Sequence, residues 1–502
     1  MQTSQMLAGQ ALLEAVRADF VGLDTAYTLA DGERSRRVYL DSAATCLQMR
    51  PVGRACDEFL RHYANTHSST HFSARISTAV YDWAHQRILN FLGADPEVYA
   101  CVFVGSGATA GFNRVASVLH GIRPERDTVL VSMMEHHSND LPHRRRHQQV
   151  LRIPTTGADT GALCLDTLES QLKANPERVN YVAVTAASNV TGVCNPVADI
   201  IRLAHAHGAL AVIDASQAIA HRGFSLAEGG NCAGADAFVF SGHKLYAPGS
   251  PGVLICRKAL LDQVEPYEIG GGTVDHVYLD RYELLEDYPD REEAGTPNIL
   301  GAAKLAFTIE LLDRIGMAQV TQDEHRLLDM LDRGLKALEG VRVYGVEGVP
   351  LEQRTSTLSF AMEGMDHGLL AAVLNDQYGI AVRNQCFCAH PYVRELIKQD
   401  LWALPEELLA DPTQLNAKQG LVRVSLGLYN DEADIQYLLA ALRDIWERRE
   451  TLLARYQLQA DGSYRDPAFF QEATTLFDPA QVLDQALGTV SSREKPEASL
   501  IA

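Results

Sequence analysis

A chain of 502 residues is too long for one small core and implies two domains with extensions. Apolar residues at 46% and charged residues at 22% are ordinary globular composition, while a formal charge of −20 argues against a nucleic-acid groove, which needs clustered Lys and Arg. Nine scattered cysteines without a CxxC pair point to reduced cytoplasmic thiols rather than disulfides or a zinc site, and no leader or membrane-length apolar run stands out.

Leu12, Leu13, Val16 and Phe20 lie at helical spacing within 4–20. A short strand, Val38-Tyr39-Leu40-Asp41, precedes expected helices over 52–63 and 75–92, which flank the polar loop 65–71. Strands at 101–104, 128–132, 179–185, 210–214, 236–240 and 253–256 then follow, with helices over 110–120 and 197–207. That alternation predicts an α/β fold with a mostly parallel sheet. The basic cluster His143-Arg144-Arg145-Arg146-His147 reads as a solvated helix face. After Gly270-Gly271-Gly272 the order becomes mixed: helices over 301–315 and 317–338, strands near 341–344 and 357–361, a helix over 368–377, a strand at 422–425 and a helix over 432–449. The expected partition is a helical extension (1–35) packing on the smaller domain, a large domain (36–295), a smaller α+β domain (296–450) and a peripheral, partly disordered tail (451–502).

The chemistry centres on Ser241-Gly242-His243-Lys244, which follows the strand ending at Phe240. Upstream, Leu210-Ala211-Val212-Ile213 runs apolar into Asp214. A lysine after one buried strand and an acid ending another suggest pyridoxal phosphate: the lysine forms an imine with the cofactor aldehyde, and the aspartate keeps the pyridine nitrogen protonated. Gly105-Ser106-Gly107-Ala108-Thr109, between a strand and a helix, suits a phosphate cup, helped by Ser241 and His243. In Glu135-His136-His137 a histidine can stack on the pyridine ring; two adjacent histidines rarely point at one metal ion. Asn189 ends another strand, and its amide, together with Gln217 just after Asp214, can reach the cofactor's phenolic oxygen.

Cys386-Phe387-Cys388-Ala389-His390-Pro391 follows what reads as a polar loop, Arg383-Asn384-Gln385, whose cationic surroundings favour a thiolate. As a metal site the C-x-C pair lacks further ligands. Arg423, a charge inside an apolar strand, needs a carboxylate to fork onto, from the protein or from a substrate.

Together, Tyr39-Leu40-Asp41-Ser42-Ala43-Ala44, Met134-Glu135-His136-His137, Ser241-Gly242-His243-Lys244-Leu245-Tyr246 and Ala294-Gly295-Thr296-Pro297-Asn298 resemble the class V aminotransferase superfamily of fold-type I pyridoxal phosphate enzymes. Within it, the chain is similar to the cysteine desulfurase and selenocysteine lyase group, from about residue 16 to 449. The resemblance implies Lys244 as the Schiff-base lysine, Asp214 on the pyridine nitrogen, and His136 stacked on the ring. Asn189 and Gln217 fall to the phenolic oxygen, and Thr109, Ser241, His243 and the Ala108 N–H to the phosphate. Thr296 reaches in from the second subunit of a homodimer, Arg423 with Asn189 and Arg383 holds the amino-acid substrate, and Cys388 forms a persulfide for a sulfur-acceptor protein. The same scaffold admits a C–S lyase acting on another sulfur-containing amino acid, which would release a thiol and pyruvate. The chain has Gln385-Cys386-Phe387 where the group usually has Gly-His-His, and a longer link from Cys388 to Arg423, including 402–415, that bears on substrate choice or acceptor docking.

Overall fold

The structure, a computed structural model, describes residues 7–157, 159–402 and 412–490. Seven strands form the larger sheet: Tyr99–Val104 (β1), Thr128–Ser132 (β2), Gln149–Ile153 (β3), Val179–Thr185 (β4), Leu210–Asp214 (β5), Ala237–Ser241 (β6) and Gly252–Arg257 (β7). Their order is β1-β7-β6-β5-β4-β2-β3, with β7 antiparallel to both neighbours and the other pairs parallel. Every residue of β1, β2, β4, β5 and β6 is buried, as expected of a sheet covered on both faces.

On one face the helix Gly107–Ile122 packs Phe112, Val115 and Leu119 against Val129, Tyr181 and Val239. It sits close because residue 111 is glycine; a methyl there would lie 2.7 Å from Val239 Cγ1. The other face is covered by the helices Phe72–Phe91, Val197–Ala206 and Ile299–Ile315. This layering places Ser132, Thr185, Asp214 and Ser241, the last residues of β2, β4, β5 and β6, along one sheet edge, where open α/β folds bind ligands.

A second sheet contains Val341–Val343 (β8), Thr357–Met362 (β9), Arg383–Gln385 (β10) and Leu421–Ser425 (β11), all antiparallel in the order β8-β9-β11-β10. Its core is shared with the helices Met317–Lys336, His367–Tyr378 and Glu432–Arg455. Val38–Tyr39 pairs in parallel with Ile380–Ala381, and Asp41 bridges to Ser425, which carries the N-terminal segment to the edge of the site.

Several elements differ from the sequence expectation. The helix Gly9–Arg17 buries Leu13 and Val16 in the larger sheet's core while its Arg17 reaches Asp323 and Asn430 O of the smaller body, and Ile299–Ile315 joins the larger sheet's core. Arg383–Gln385 is an edge strand, because Leu421–Ser425 offers it a backbone ladder that its polar side chains do not announce. In the basic cluster, half-exposed Arg144 pairs with buried Asp140, and His143 and His147 are buried against Tyr181. The tail begins as packed structure: the helix Glu432–Arg455 runs into it, Leu452 and Tyr456 are buried, and Arg455 pairs with buried Asp466. Of the expected tail, 491–502 lies outside the described residues, as does the part 403–411 of the longer link. Among the described residues no helix is long and apolar enough to cross a membrane.

Candidate active site

A cavity of about 480 Å³ lies between the carboxyl edge of the larger sheet and the β10–β11 pair. Buried Asp214 stands at its floor, with one carboxylate oxygen accepting the Ser216 N–H at 2.9 Å. Burial pushes this carboxyl above the ordinary aspartate value. Lys244, half-buried at the end of the short 3-10 turn Gly242–Lys244, shares the cavity. Burial lowers its ammonium from the usual lysine range, with Asp214 opposing and Arg423 adding to the shift. A positioned lysine with a depressed pKa is the form that acts as nucleophile and base.

One side of the cavity is an anion cup. Gly107 opens the helix Gly107–Ile122 with φ +59°, a conformation that favours glycine, and aims the Ala108 N–H at Ser241 Oγ, 2.8 Å away. Thr109 Oγ1 and Ser138 Oγ are hydrogen-bonded at 2.6 Å, and His243 Nδ1 lies 3.2 Å from Thr45 Oγ1. The unpaired N–H groups and dipole of a sixteen-residue helix suit a phosphate here.

His136 forms a wall. Its Nδ1 accepts the Ser138 N–H at 3.0 Å, and burial together with Lys244 pushes its pKa down to about 3, so the ring is neutral. Behind it, buried Glu135 accepts hydrogen bonds from Ser132 Oγ, from Thr185 N at 2.9 Å and from Asn139 Nδ2 at 2.6 Å; burial nevertheless raises it to about 8.

The opposite wall belongs to the smaller sheet. Buried Arg423 donates Nη1–H to Asn189 O at 2.9 Å and Nη2–H to Asp41 at 3.0 Å, and its guanidinium lies 4.8 Å from the centre of the Phe387 ring. Its Nε has no partner among the described residues, which leaves a buried donor for an incoming carboxylate. Beside it runs the segment carrying Cys388, whose thiol-bearing residue is exposed and borders the cavity. Gln385, Phe387 and Cys388 have φ of 85°, 50° and 55°, a left-handed path that non-glycine residues rarely take. Asn189 Nδ2 donates to Phe387 O at 2.7 Å, and Gln217 Nε2 donates to Ala43 O at 2.8 Å, so both amides brace backbone at the cavity rim.

Two kinds of comparison bear on this site. The aminotransferase class-V family model matches residues 38–438. The chain is 33% identical to a probable cysteine desulfurase of Vibrio cholerae, over 86% of this chain and 97% of that protein. It is also 33% identical to a cysteine desulfurase of Klebsiella pneumoniae, over 86% and 98% respectively. The chain belongs to the class-V aminotransferase family. Among solved structures, the apo cysteine desulfurase of Thermococcus onnurineus superposes with a TM-score of 0.72 at 30% identity, covering 89% of this chain and all of that one. The Escherichia coli cysteine desulfurase CsdA, in an S-sulfonic acid form, gives 0.70 at 28% identity over 87% and 98%. The class-V chain is therefore an enzyme with the α/β fold of the fold-type I pyridoxal phosphate transferases.

For this class-V member, the sequence-derived site residues Ala108, Thr109, His136, Asn189, Asp214 and Gln217 all border the cavity, as do Ser241, His243, Lys244, Arg383, Cys388 and Arg423. Thr296 does not; it is exposed and outside the cavity of its own chain. Sequence reasoning assigned no role to Ser138, the partner of Thr109 and His136, nor to Asp41, the counter-charge of Arg423, nor to Phe387, whose ring lies against that arginine. A hydroxyl two residues after His136, and an acid ending a strand next to a buried arginine, were the available signals.

Proposed function

We propose that this enzyme is a pyridoxal phosphate-dependent cysteine desulfurase, converting L-cysteine to L-alanine and leaving the sulfur as a persulfide on Cys388. The observation that carries this reading is the exposed Cys388 in one cavity with Lys244 and the partnerless Nε of Arg423.

The residues present fit the cofactor. Ser216 Oγ is buried without a partner at the cavity, and the cup is so close that a methyl at 252 would lie 2.3 Å from Gly107 O. Asp214 would hold the pyridine nitrogen, neutral His136 the ring face, and Gln217 with Asn189 the phenolic oxygen. The Ala108 N–H, Thr109, Ser241 and His243 would hold the phosphate, with Lys244 the point of attachment for the aldehyde. When bound, the cofactor supplies an electron sink beside the substrate's α-carbon.

The chain's own groups supply the rest. Arg423, aided by Arg383, holds the substrate carboxylate and sets the side chain of cysteine toward Cys388. Lys244 Nζ, whose ammonium burial makes more acidic, takes the α-proton and later returns a proton. The Cys388 thiolate attacks the substrate sulfur: an S–S bond forms, the C–S bond breaks, and the carbon fragment takes up a proton to leave as alanine. Half-buried Asp41 and the Phe387 ring hold Arg423 in place through these steps.

We place the enzyme in the cytoplasm as a homodimer that hands its persulfide sulfur to an acceptor protein. The exposed Thr296 supports the dimer reading, since a residue outside its own cavity is available to a partner's cup. The test is to incubate purified holoenzyme with L-cysteine and quantify alanine, sulfide and pyruvate beside Cys388→Ser. Alanine that disappears in the variant supports the reading; pyruvate, or turnover indifferent to the variant, replaces it with a C–S lyase.

A further inference from the structure

The backbone that carries Cys388 is in a conformation it would leave if neighbours did not hold it. Gln385, Phe387 and Cys388 are all left-handed, and strain of this kind persists only where surrounding contacts over-determine it. Upstream of Cys388 those contacts are plain: Cys386 is buried with its thiol donating to Gln419 O at 3.2 Å, and Phe387 is held by Asn189 and lies against Arg423. At Cys388 itself the hold comes from across the cavity mouth. The His137 N–H donates to Cys388 O at 2.8 Å. The side chain of the same His137 meets His390, with Nε2 and Nδ1 3.0 Å apart and the rings 4.8 Å between centres and 7° from parallel.

His137 and His390 are 253 residues apart in sequence, one following β2 of the larger sheet and the other opening the helix His390–Leu396 beyond the cysteine. The pair thus joins the two halves of the site at the point where the thiol must be aimed. We propose that His390, acting through His137, is a positioning residue that clamps the Cys388 segment over the cavity for attack on the substrate sulfur. The proposal rests on the desulfurase reading for what Cys388 attacks, but the clamp itself is a statement about residues 385–390. Two neutral imidazoles can share one proton in such a pair, one donating and one accepting, so the contact needs no net charge. It leaves Lys244 and Arg423 untouched, and it therefore separates substrate entry from sulfur transfer.

The experiment compares holoenzyme with His390→Leu, which fills similar space without a polar atom, and His390→Asn, whose amide can stand where Nδ1 stood. Three quantities are read: the cofactor absorbance change on mixing with L-cysteine, the single-turnover rate of persulfide formation on Cys388, and amide hydrogen exchange of the 385–390 peptide. In His390→Leu the persulfide rate falls about tenfold, the equivalent of one lost hydrogen bond, while the absorbance change stays within about twofold and exchange at 385–390 accelerates. His390→Asn recovers most of the rate. His137→Leu combined with His390→Leu is no slower than the worse single variant, because both remove one contact. An unchanged persulfide rate in His390→Leu, an equal slowing of both steps, or failure of Asn to rescue overturns the proposal. If wild-type enzyme forms no persulfide on Cys388, the desulfurase reading fails, and the exchange measurement then decides the clamp: faster exchange in His390→Leu upholds it, and unchanged exchange overturns it.

Discussion

Replacing Gly252 by alanine tests how the anion cup is built. Residue 252 starts β7 and is paired on one side with Val104 and on the other with Ser241, so its backbone has little room to yield. A methyl on it would lie 2.3 Å from Gly107 O, 2.4 Å from Gly107 C and 2.9 Å from Gly107 Cα. Carbon-to-oxygen contact needs roughly 1 Å more than this, and forcing such overpacking costs about 1–3 kcal/mol. The segment that must move is residue 107, whose left-handed turn aims the Ala108 N–H at Ser241 Oγ, a hydrogen bond worth about 1 kcal/mol. Gly252→Ala should therefore destabilise the apoenzyme by about 2–4 kcal/mol, read from urea unfolding. Displacing the donors that face an anion should also cost about 1.5–3 kcal/mol of cofactor binding, or about 10- to 150-fold in Kd. Titrating apoenzyme with pyridoxal phosphate and following the absorbance near 420 nm measures it. A variant whose unfolding midpoint and cofactor affinity both match wild type would refute the assignment of this cup to the phosphate.

Other expectations follow from single groups. Lys244→Ala should lose the absorbance that borohydride discharges and lower turnover by at least about 10²- to 10⁴-fold, as measured by alanine release, because removal of the α-proton loses its base. The imidazoles of His136 and His143 are held down to about 3, and those of His147 and His243 to about 4, chiefly by burial. As pH falls from about 6.5 toward these values, the unfolded chain takes up protons that the native one refuses, so native stability is lost across that window. Glu135, held up to about 8, offsets one of the four above the ordinary glutamate value. His143→Gln should flatten the slope of apoenzyme stability between pH 6.5 and 5 by about 1.4 kcal/mol per pH unit; an unchanged slope counts against a neutral native His143. Arg354 is 1% exposed and paired with Asp332 at 2.9 Å, so Asp332→Ala strands a buried charge and should cost about 3–5 kcal/mol in urea unfolding.

Most of the larger sheet was legible because its strands are buried on both faces and read as unbroken apolar runs. Asp214 and Ser241 stood out for the same reason, as polar residues ending such runs. The edge strand β3 was passed over: only its last residue is buried, and Arg152 leaves it to pair with Asp140. β10 was read as a loop because three polar residues carry no alternation, and its strand character comes from its antiparallel partner Leu421–Ser425, in which Arg383 faces Arg423 from a distant part of the sequence. The braces on the reactive residues were equally hidden. Asp41 with Arg423, Asn189 with Phe387 and His137 with His390 each join distant parts of the chain, and no local pattern records them.

Arg383 and Arg423 face each other in one antiparallel register, and the strand that starts at Arg383 leads directly into Cys388. Under the proposed function, the group that would recognise a substrate's carboxylate and the group that would collect its sulfur are mounted on or beside one small sheet, while the lysine and aspartate belong to the other. On that reading, specificity and acid–base chemistry rest on different sheets of this chain. Transplanting the strand pair with its connecting segment into a related scaffold would carry both substrate choice and sulfur destination together, without touching the machinery that moves the proton.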